Sequence, residues 1–573
     1  MKKKHIVIIF VCMLLLAISI SSIAVAFNEN EALNIENKDY NNLIKQFIEN
    51  EVILENNWSE QQQLLASDGG YWDRFGSSVS IDGDYAIIGA IWDENNEEVV
   101  TGSAYVFIRS GTTWTEQAKL LASDGEYDDW FGYSVSISGD YAIVGAHYDD
   151  NNGIDAGSAY VFTRSGTSWT QQAKLSASDG AADEWFGYSV SIDGEYVIIG
   201  AATDDTANGN QSGSAYVFTR SGTTWTQQAK LLASDGAQND YFGYSVSISG
   251  DSAIVGALYD DTGSAYVFTR SGTTWTEQSK LLALDGASGD LFGWSVSIDN
   301  DYAIIGAPND NESALMGGSA YVFTRSGTIW MQQSKLLASD GEFADQFGQS
   351  VSIDADYAII GAPYDDNIGS NSGSAYVFTR SGTAWTQEVK LLASDGAADD
   401  NFGGSVSIDG YYAIVGASWD DNVDYNAGSA YVFKKISPDL DCSGTLSWTD
   451  VKPGDTVTGS ITVENIGDLD SLLDWEIQSY PDWGTWTFDP DSGNDLGEGE
   501  SIDIDIEVVA PNEEEATFTG EVVLVNTEDS TDNCTIDVSL ATPLSHVQPY
   551  QQIKRFLQNH PNLFQLLQRL LEL

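Results

Sequence analysis

The sequence is poor in basic residues, in cysteine and in histidine, and each shortage excludes something. Only 24 of its 573 residues are Lys or Arg, against 86 Asp and Glu, a formal net charge of −62. Nucleic acid is thereby excluded as a partner, because binding it takes a basic face that displaces counterions from phosphates. A surface this acidic repels itself and stays soluble, as suits a salty habitat, and clustered carboxylates could also bind cations. Beyond His5 the histidines are His147, His546 and His560, and no neutral-pH acid–base constellation forms around them. Nucleophile elbows, phosphate loops and zinc spacings are also missing, so the chain is expected not to be an enzyme. Its many carboxylate pairs keep a glycosidase as the alternative. Of three cysteines, Cys12 lies in an apolar N-terminal run, which leaves Cys442 and Cys534 as a pair. Outside the cell such a pair reads as a disulfide rather than a metal site.

What the sequence has in plenty is one stretch, written seven times. Phe-Gly pairs begin at Phe75, Phe131, Phe186, Phe242, Phe292, Phe347 and Phe402, a period of 50–56 residues. Such a period belongs to solenoids, propellers or domain arrays. Each copy contains four short runs rich in Val, Ile, Tyr and Phe, bounded by Gly, Asp and Ser, and none has helical periodicity. In the second copy they are the Trp114 strand, YSVSI, YAIVGA and GSAYVF. Four antiparallel strands without a helix make a propeller blade.

The spacings fix the phase of the blade. Trp to Phe-Gly is 17 positions in every copy, Phe-Gly to Gly-Ala is 14, and Tyr-Val-Phe to the next Trp is 9. Only the stretch from Gly-Ala to Tyr-Val-Phe changes length, which marks it as a surface loop free of packing demands. The array opens with a Trp58 strand that no earlier blade claims, and it ends at Phe433 with no Trp strand to follow. If Trp58–Leu65 supplies that missing outer strand, the ring closes and no sheet edge is left bare. The expected fold is therefore all-β: a seven-bladed propeller over 58–435, with the Phe-Gly strand innermost and the N-terminal strand closing the last blade.

Strand alternation then sorts the loops onto two faces. One face receives tight, uniform hairpins such as Asp82-Gly83 and the Arg-Ser-Gly-Thr turns. The other receives the loops of variable length and most of the loop acid. Its candidate ligand-binding residues are Asp93, Asp149, Asp150, Asp204, Asp205, Asp260, Asp261, Asp310, Asp365, Asp366, Asp420 and Asp421. Asp-Asp-Asn-Gly is also ordinary turn chemistry.

The order Phe-Gly, Gly-Ala(-Pro), Gly-Ser-Ala-Tyr-Val-Phe resembles the FG-GAP repeat, the blade unit of the integrin alpha-subunit propeller. Gly306-Ala307-Pro308 and Gly361-Ala362-Pro363 carry the full Gly-Ala-Pro, and the resemblance spans all seven copies. It implies extracellular adhesion or ligand binding on the face already found acidic and variable. Many members of that family hold calcium in a D-x-D-x-D-G loop between the first two blade strands. Turns such as Ser136 to Tyr141 are too short here to wrap a cation that needs six or more oxygens. The family's usual calcium sites are thus not carried over, and calcium stays a candidate only for the Asp pairs of the other face.

The flanks complete the plan. Residues 1–26 read as a secretory signal: Lys2 to Lys4, an apolar run, then Ala24-Val25-Ala26 with cleavage expected after Ala26. Residues 27–57 read as a linker. Residues 440–542 alternate like an immunoglobulin-like β-sandwich; Trp475, Trp483 and Trp486 with Pro490 and Gly493 make this stretch similar to BACON-type modules of secreted microbial proteins. In 543–573, Pro561 divides two amphipathic helical stretches into a short helical tail. The expected protein is secreted or displayed at the cell surface and binds an extracellular protein or glycan. Either terminus could attach it to an envelope, and a purely structural envelope protein with a salt-adapted surface is a further alternative.

Overall fold

The computed structural model describes residues 58–94, 99–312, 314–469, 471–543, 548–561 and 565. The signal, the linker and the second half of the tail lie outside these residues. Seven four-stranded antiparallel sheets follow one another from Trp58 to Lys435. In the first, the strands are Phe75–Asp82, Tyr85–Ala90, Ser103–Ser110 and Thr113–Leu120, in that spatial order. The seventh sheet takes its outer strand from the other end of the array. Trp58–Leu64 pairs antiparallel with Ser429–Lys435, with Trp58 opposite Lys435 and Leu64 opposite Ala430. The expected closure and phase are both present, and the ring is a seven-bladed β-propeller.

The repeated motif residues are explained by packing between blades. Phe75 is fully buried and meets Tyr105 and Phe107 edge-on, with ring centroids 5.4 and 6.1 Å away, and the other six blades repeat the arrangement. The two motif glycines are needed for close approach. A Cβ on Gly76, whose φ is +93°, would lie 2.2 Å from the Ser429 carbonyl oxygen, and one on Gly89 would lie 2.0 Å from that of Gly132. Side chains join neighbouring blades as well: Ser78 Oγ donates to Gly132 O at 2.8 Å, and Trp169 Nε1 to Gln117 Oε1 at 2.7 Å. Where the ring closes, Ile81 N donates to Ser407 Oγ at 3.2 Å, as Ile137 N does to Ser80 Oγ between the first two blades, so this junction shares a bond with the others.

Residues 440–541 form two further sheets around one core. The first orders Leu440–Gly444, Thr456–Asn465, Ser501–Val509 and Thr485–Asp489. The second orders Leu446–Trp448, Asn533–Ala541, Thr517–Asn526, Leu472–Ser479 and Ser492–Gly497. Trp475, 1% exposed, sits in that core with Ile504, Ile506 and Leu524. Cys442 and Cys534 are joined in a disulfide, their Cα atoms 5.9 Å apart, linking a strand of one sheet to a strand of the other. Among the described residues a helix follows, Gln548–Asn559.

Candidate ligand-binding face

Two loops per blade build one face of the ring, and main-chain bonds interlock them. The loop before each Phe-Gly reaches the variable loop of the preceding blade: Asp128 N donates to Val100 O at 2.9 Å, Asp183 N to Ile154 O at 2.8 Å, and Arg74 N to Asn426 O at 3.2 Å. This grip holds non-glycine residues in left-handed backbone. Trp72, Arg74, Asp128, Trp130, Asp183, Trp185 and Tyr241 have φ between 56° and 73°. Bulky side chains rarely adopt this region, and strain of this kind gathers at functional sites.

The twelve candidate aspartates divide into two kinds. Asp93, Asp149, Asp204, Asp260, Asp310, Asp365 and Asp420 are each buried, at 1–7% exposure. Asp149 is representative: its carboxylate accepts from Tyr160 OH at 2.6 Å, Ser158 Oγ at 3.0 Å and Asn151 N at 3.0 Å, and it pairs with Lys174 Nζ at 2.7 Å. The ammonium also reaches Asp124 at 2.7 Å, and its neighbours hold the Asp124 carboxyl below its ordinary pKa despite partial burial. Lys119, Lys230, Lys280, Lys335 and Lys390 repeat the arrangement. In the closing blade Gln63 replaces the lysine, its Nε2 donating to Tyr431 OH at 2.9 Å. These seven aspartates brace the blades beneath the loops.

Asp150, Asp205, Asp261, Asp366 and Asp421 are exposed. Four of them shape their own loops by accepting from a main-chain amide five or six residues on: Asp155, Gln211, Asn371 and Asn426 respectively. Among the described residues one carboxylate trio is close enough to hold a cation: Asp285, Asp310 and Glu312. Lys335 Nζ already sits among them, 2.6 Å from Asp285 and 2.7 Å from Asp310, so a metal ion would have to displace an ammonium.

A third acidic set caps the loops from inside. Asp73, Asp129, Glu184, Asp240, Asp290, Asp345 and Asp400 each accept from the amide three residues earlier, as Asp129 does from Glu126 N at 2.6 Å. Burial raises their pKa, to about 6 for Asp73, Asp129, Asp345 and Asp400 and about 7 for Glu184.

The mouth of the ring is aromatic, which the sequence reading did not anticipate. Tyr133, Tyr188, Tyr244 and Trp294 each stand two positions after their Phe, and successive ring centroids are 5.0, 4.9 and 5.1 Å apart. Trp130 and Trp185, just before the Phe, stack on Tyr133 and Tyr188. His147 lies among them, 4.2 Å from Tyr133, with its Nδ1 unpartnered; burial drops its pKa to about 3, so it is neutral at physiological pH. The arc covers only part of the ring, since the sixth and seventh copies place Gln349 and Gly404 at the equivalent position. The signal was available: in an array of near-identical repeats, these two positions vary from copy to copy.

A search of curated proteins finds no match to this chain. Solved structures at low similarity include PorZ, a bacterial surface component of the type-IX secretion system of Porphyromonas gingivalis. It is 10% identical with a TM-score of 0.41, and the match covers 83% of this chain but only 61% of PorZ. The β-propeller domain of the Trilobed protease from Pyrococcus furiosus is 9% identical, TM-score 0.35, covering 61% of this chain and 90% of that one. TolB from Acinetobacter baumannii is 12% identical, TM-score 0.31, covering 55% and 66%. The FG-GAP repeat family profile matches residues 58–107, 114–162, 169–218, 225–268, 275–323, 330–378 and 385–433. The seven matches span the propeller, each running from the outer strand of one blade through the three inner strands of the next, and they cover more than half of the sequence, so the chain belongs to the FG-GAP repeat family.

Proposed function

We propose that this chain is a secreted or cell-surface binding protein that presents the loop face of its propeller to a glycan or protein ligand. The aromatic arc carries the proposal. The blades repeat nearly residue for residue, yet beside Phe-Gly they diverge into Trp130, Tyr133, Trp185, Tyr188, Tyr244 and Trp294. Aromatic side chains supply large contact area with a polar handle, which suits a recognition surface. The resemblance to integrin alpha-subunit repeats supports an adhesive reading, and the signal-like N-terminal sequence supports an extracellular location. Residues 440–541 serve as an Ig-like, BACON-like spacer stapled by Cys442–Cys534. We read the protein as a binder rather than a hydrolase, because its raised carboxylates recur in every blade and each caps its own loop.

The test is a glycan and extracellular-protein array probed with the full chain and with a Trp130→Ala/Trp185→Ala variant. The variant is expected to lose at least about tenfold in affinity for whatever the wild type retains, with its melting transition preserved. Undiminished binding by the variant would place recognition elsewhere.

A further inference from the structure

Fifteen lysines and arginines lie between Trp58 and Lys435, and fourteen are ion-paired with Asp or Glu. The exception is Arg74. Among the described residues its guanidinium meets no carboxylate and donates no hydrogen bond, although the face around it is rich in acid. It lies instead between two indoles, 3.9 Å from the ring centroid of Trp92 and 3.8 Å from that of Trp419, with Trp72 at 5.3 Å. Trp92 belongs to the first blade and Trp419 to the last, so the cation stands where the ring closes.

Two donors here lack acceptors. Arg74 Nε is buried without a partner, and so is the Nδ2 amide of Asn426, a residue 4% exposed whose carbonyl accepts from Arg74 N. Buried donors left unpaired are costly, and each calls for an explanation. Nor does the fold require arginine at this position, since the other six blades place Trp130, Trp185, Tyr241, Leu291, Gln346 and Asn401 there. Around the pair, Trp419 is 36% exposed, and Tyr71 and Tyr425, 65% and 51% exposed, stack with centroids 5.8 Å apart.

We propose that Arg74 and Asn426 form an anion subsite of the loop face that takes the carboxylate of a uronic acid residue in an otherwise neutral glycan. A guanidinium is a planar donor matched to carboxylate, and partial burial strengthens the pair. The net charge of −62 excludes a polyanion, so the ligand brings an isolated negative charge. The flat aromatic surface favours a sugar ring over an acidic side chain on a flexible stem. The assignment rests on the loop face being the binding surface.

The experiment titrates the full chain by calorimetry at about 20 mM salt, where screening is weak. One probe is a glucose pentasaccharide carrying a single glucuronate, and the other is the same chain after carboxyl reduction. The wild type is expected to prefer the carboxylated probe about tenfold, as one charge-assisted bidentate contact provides. Arg74→Met should bind the two probes equally, and Arg74→Lys should recover only part of the preference. If the variants do not fold, the wild-type ratio still decides. Equal affinity for both probes overturns the anion subsite and leaves the loop-face proposal standing. Binding of an aspartate-bearing peptide with neither sugar bound overturns the uronate assignment. Binding of neither probe overturns it too, and the broader proposal falls with it only if Trp130→Ala/Trp185→Ala also changes nothing on the arrays.

Discussion

In most blades the two faces of the ring use the same parts, a cation, carboxylate and tyrosine, and assemble them in opposite ways. On the hairpin face Arg164 pairs with Asp140 and lies over the ring of Tyr85, 4.2 Å from its centroid. The Asp140 side chain is 60% exposed there, and that of the arginine is 20% exposed. On the loop face Lys174 pairs with Asp149, whose side chain is 4% exposed and also accepts from the Tyr160 hydroxyl. Hairpins of two-residue turns hold themselves and need little from the pair beside them. The loops carry residues at positive φ with no regular ladder, so something beneath must fix them. The buried carboxylate supplies that support, which frees the side chains above it to vary.

The comparison breaks first at Asp149. Asp149→Ala is expected to destabilise the propeller by about 3–5 kcal/mol, because it leaves the buried Ser158 hydroxyl without its acceptor and removes one of the two carboxylates around Lys174. Urea unfolding measures it. A loss below about 1 kcal/mol would show that the buried cluster is no stronger than an exposed pair and would remove the distinction between the faces.

This arrangement was partly legible. Every blade writes Tyr in GSAYVF, and six of the seven outer strands write Lys before Leu; because Tyr160 and Lys174 are direct cross-strand partners, both side chains reach the same end of the blade. The sequence also places an acidic residue three positions after each Gly-Ala. Those regularities marked a shared cluster, but Asp149 and Asp150 are chemically identical neighbours. Which one turns inward is settled by the turn that bonds Asp149 N to Ala146 O at 3.2 Å. The propeller itself could be read because its spacings are invariant, and invariant spacing is backbone geometry written out. The aromatic mouth could not be read from periodicity, because it is defined by positions that break the repeat. Arg74 could not be recognised either, since its isolation depends on where every acid on the face has gone.

The second effect concerns pH and sharpens what burial does on the loop face. Glu184 has a pKa raised to about 7 chiefly by desolvation, against an ordinary value of 4.5. The folded state thus binds a proton more tightly than the unfolded one. The stability this gives is complete below about pH 4.3, and it is lost as pH rises through 7. Asp73, Asp129, Asp345 and Asp400 act in the same sense through about pH 6. The Lys-paired Asp124, Asp179 and Asp340, with lowered pKa values, lose their contribution only as pH falls below about 4. The melting temperature should therefore peak between about pH 4.5 and 6 and fall towards pH 8. Glu184→Gln keeps an acceptor for Ala181 N and cannot ionise. It should gain about 1–2 kcal/mol over the wild type at pH 8 and nothing at pH 4. A gain equal at both pH values would trace the effect to packing instead of charge.

The smallest effect is expected on the hairpin face. Asp140→Asn removes the carboxylate from Arg164 but leaves the guanidinium over Tyr85 and beside solvent, where water replaces the lost partner. Exposed ion pairs of this kind contribute about 0–1 kcal/mol and weaken with salt. The variant should therefore unfold within about 0.5 kcal/mol of the wild type, and the difference should vanish near 1 M salt. The same salt should leave the Asp149→Ala deficit largely in place, since a buried pair is screened much less. Double-mutant cycles at both positions, repeated in low and high salt, separate the two cases. If the hairpin-face coupling proved as large and as salt-resistant as the loop-face coupling, exposure would not be what distinguishes the two faces. The loops would then owe their shape to the interlocking main-chain bonds alone, and the buried aspartates would be released to contact a ligand.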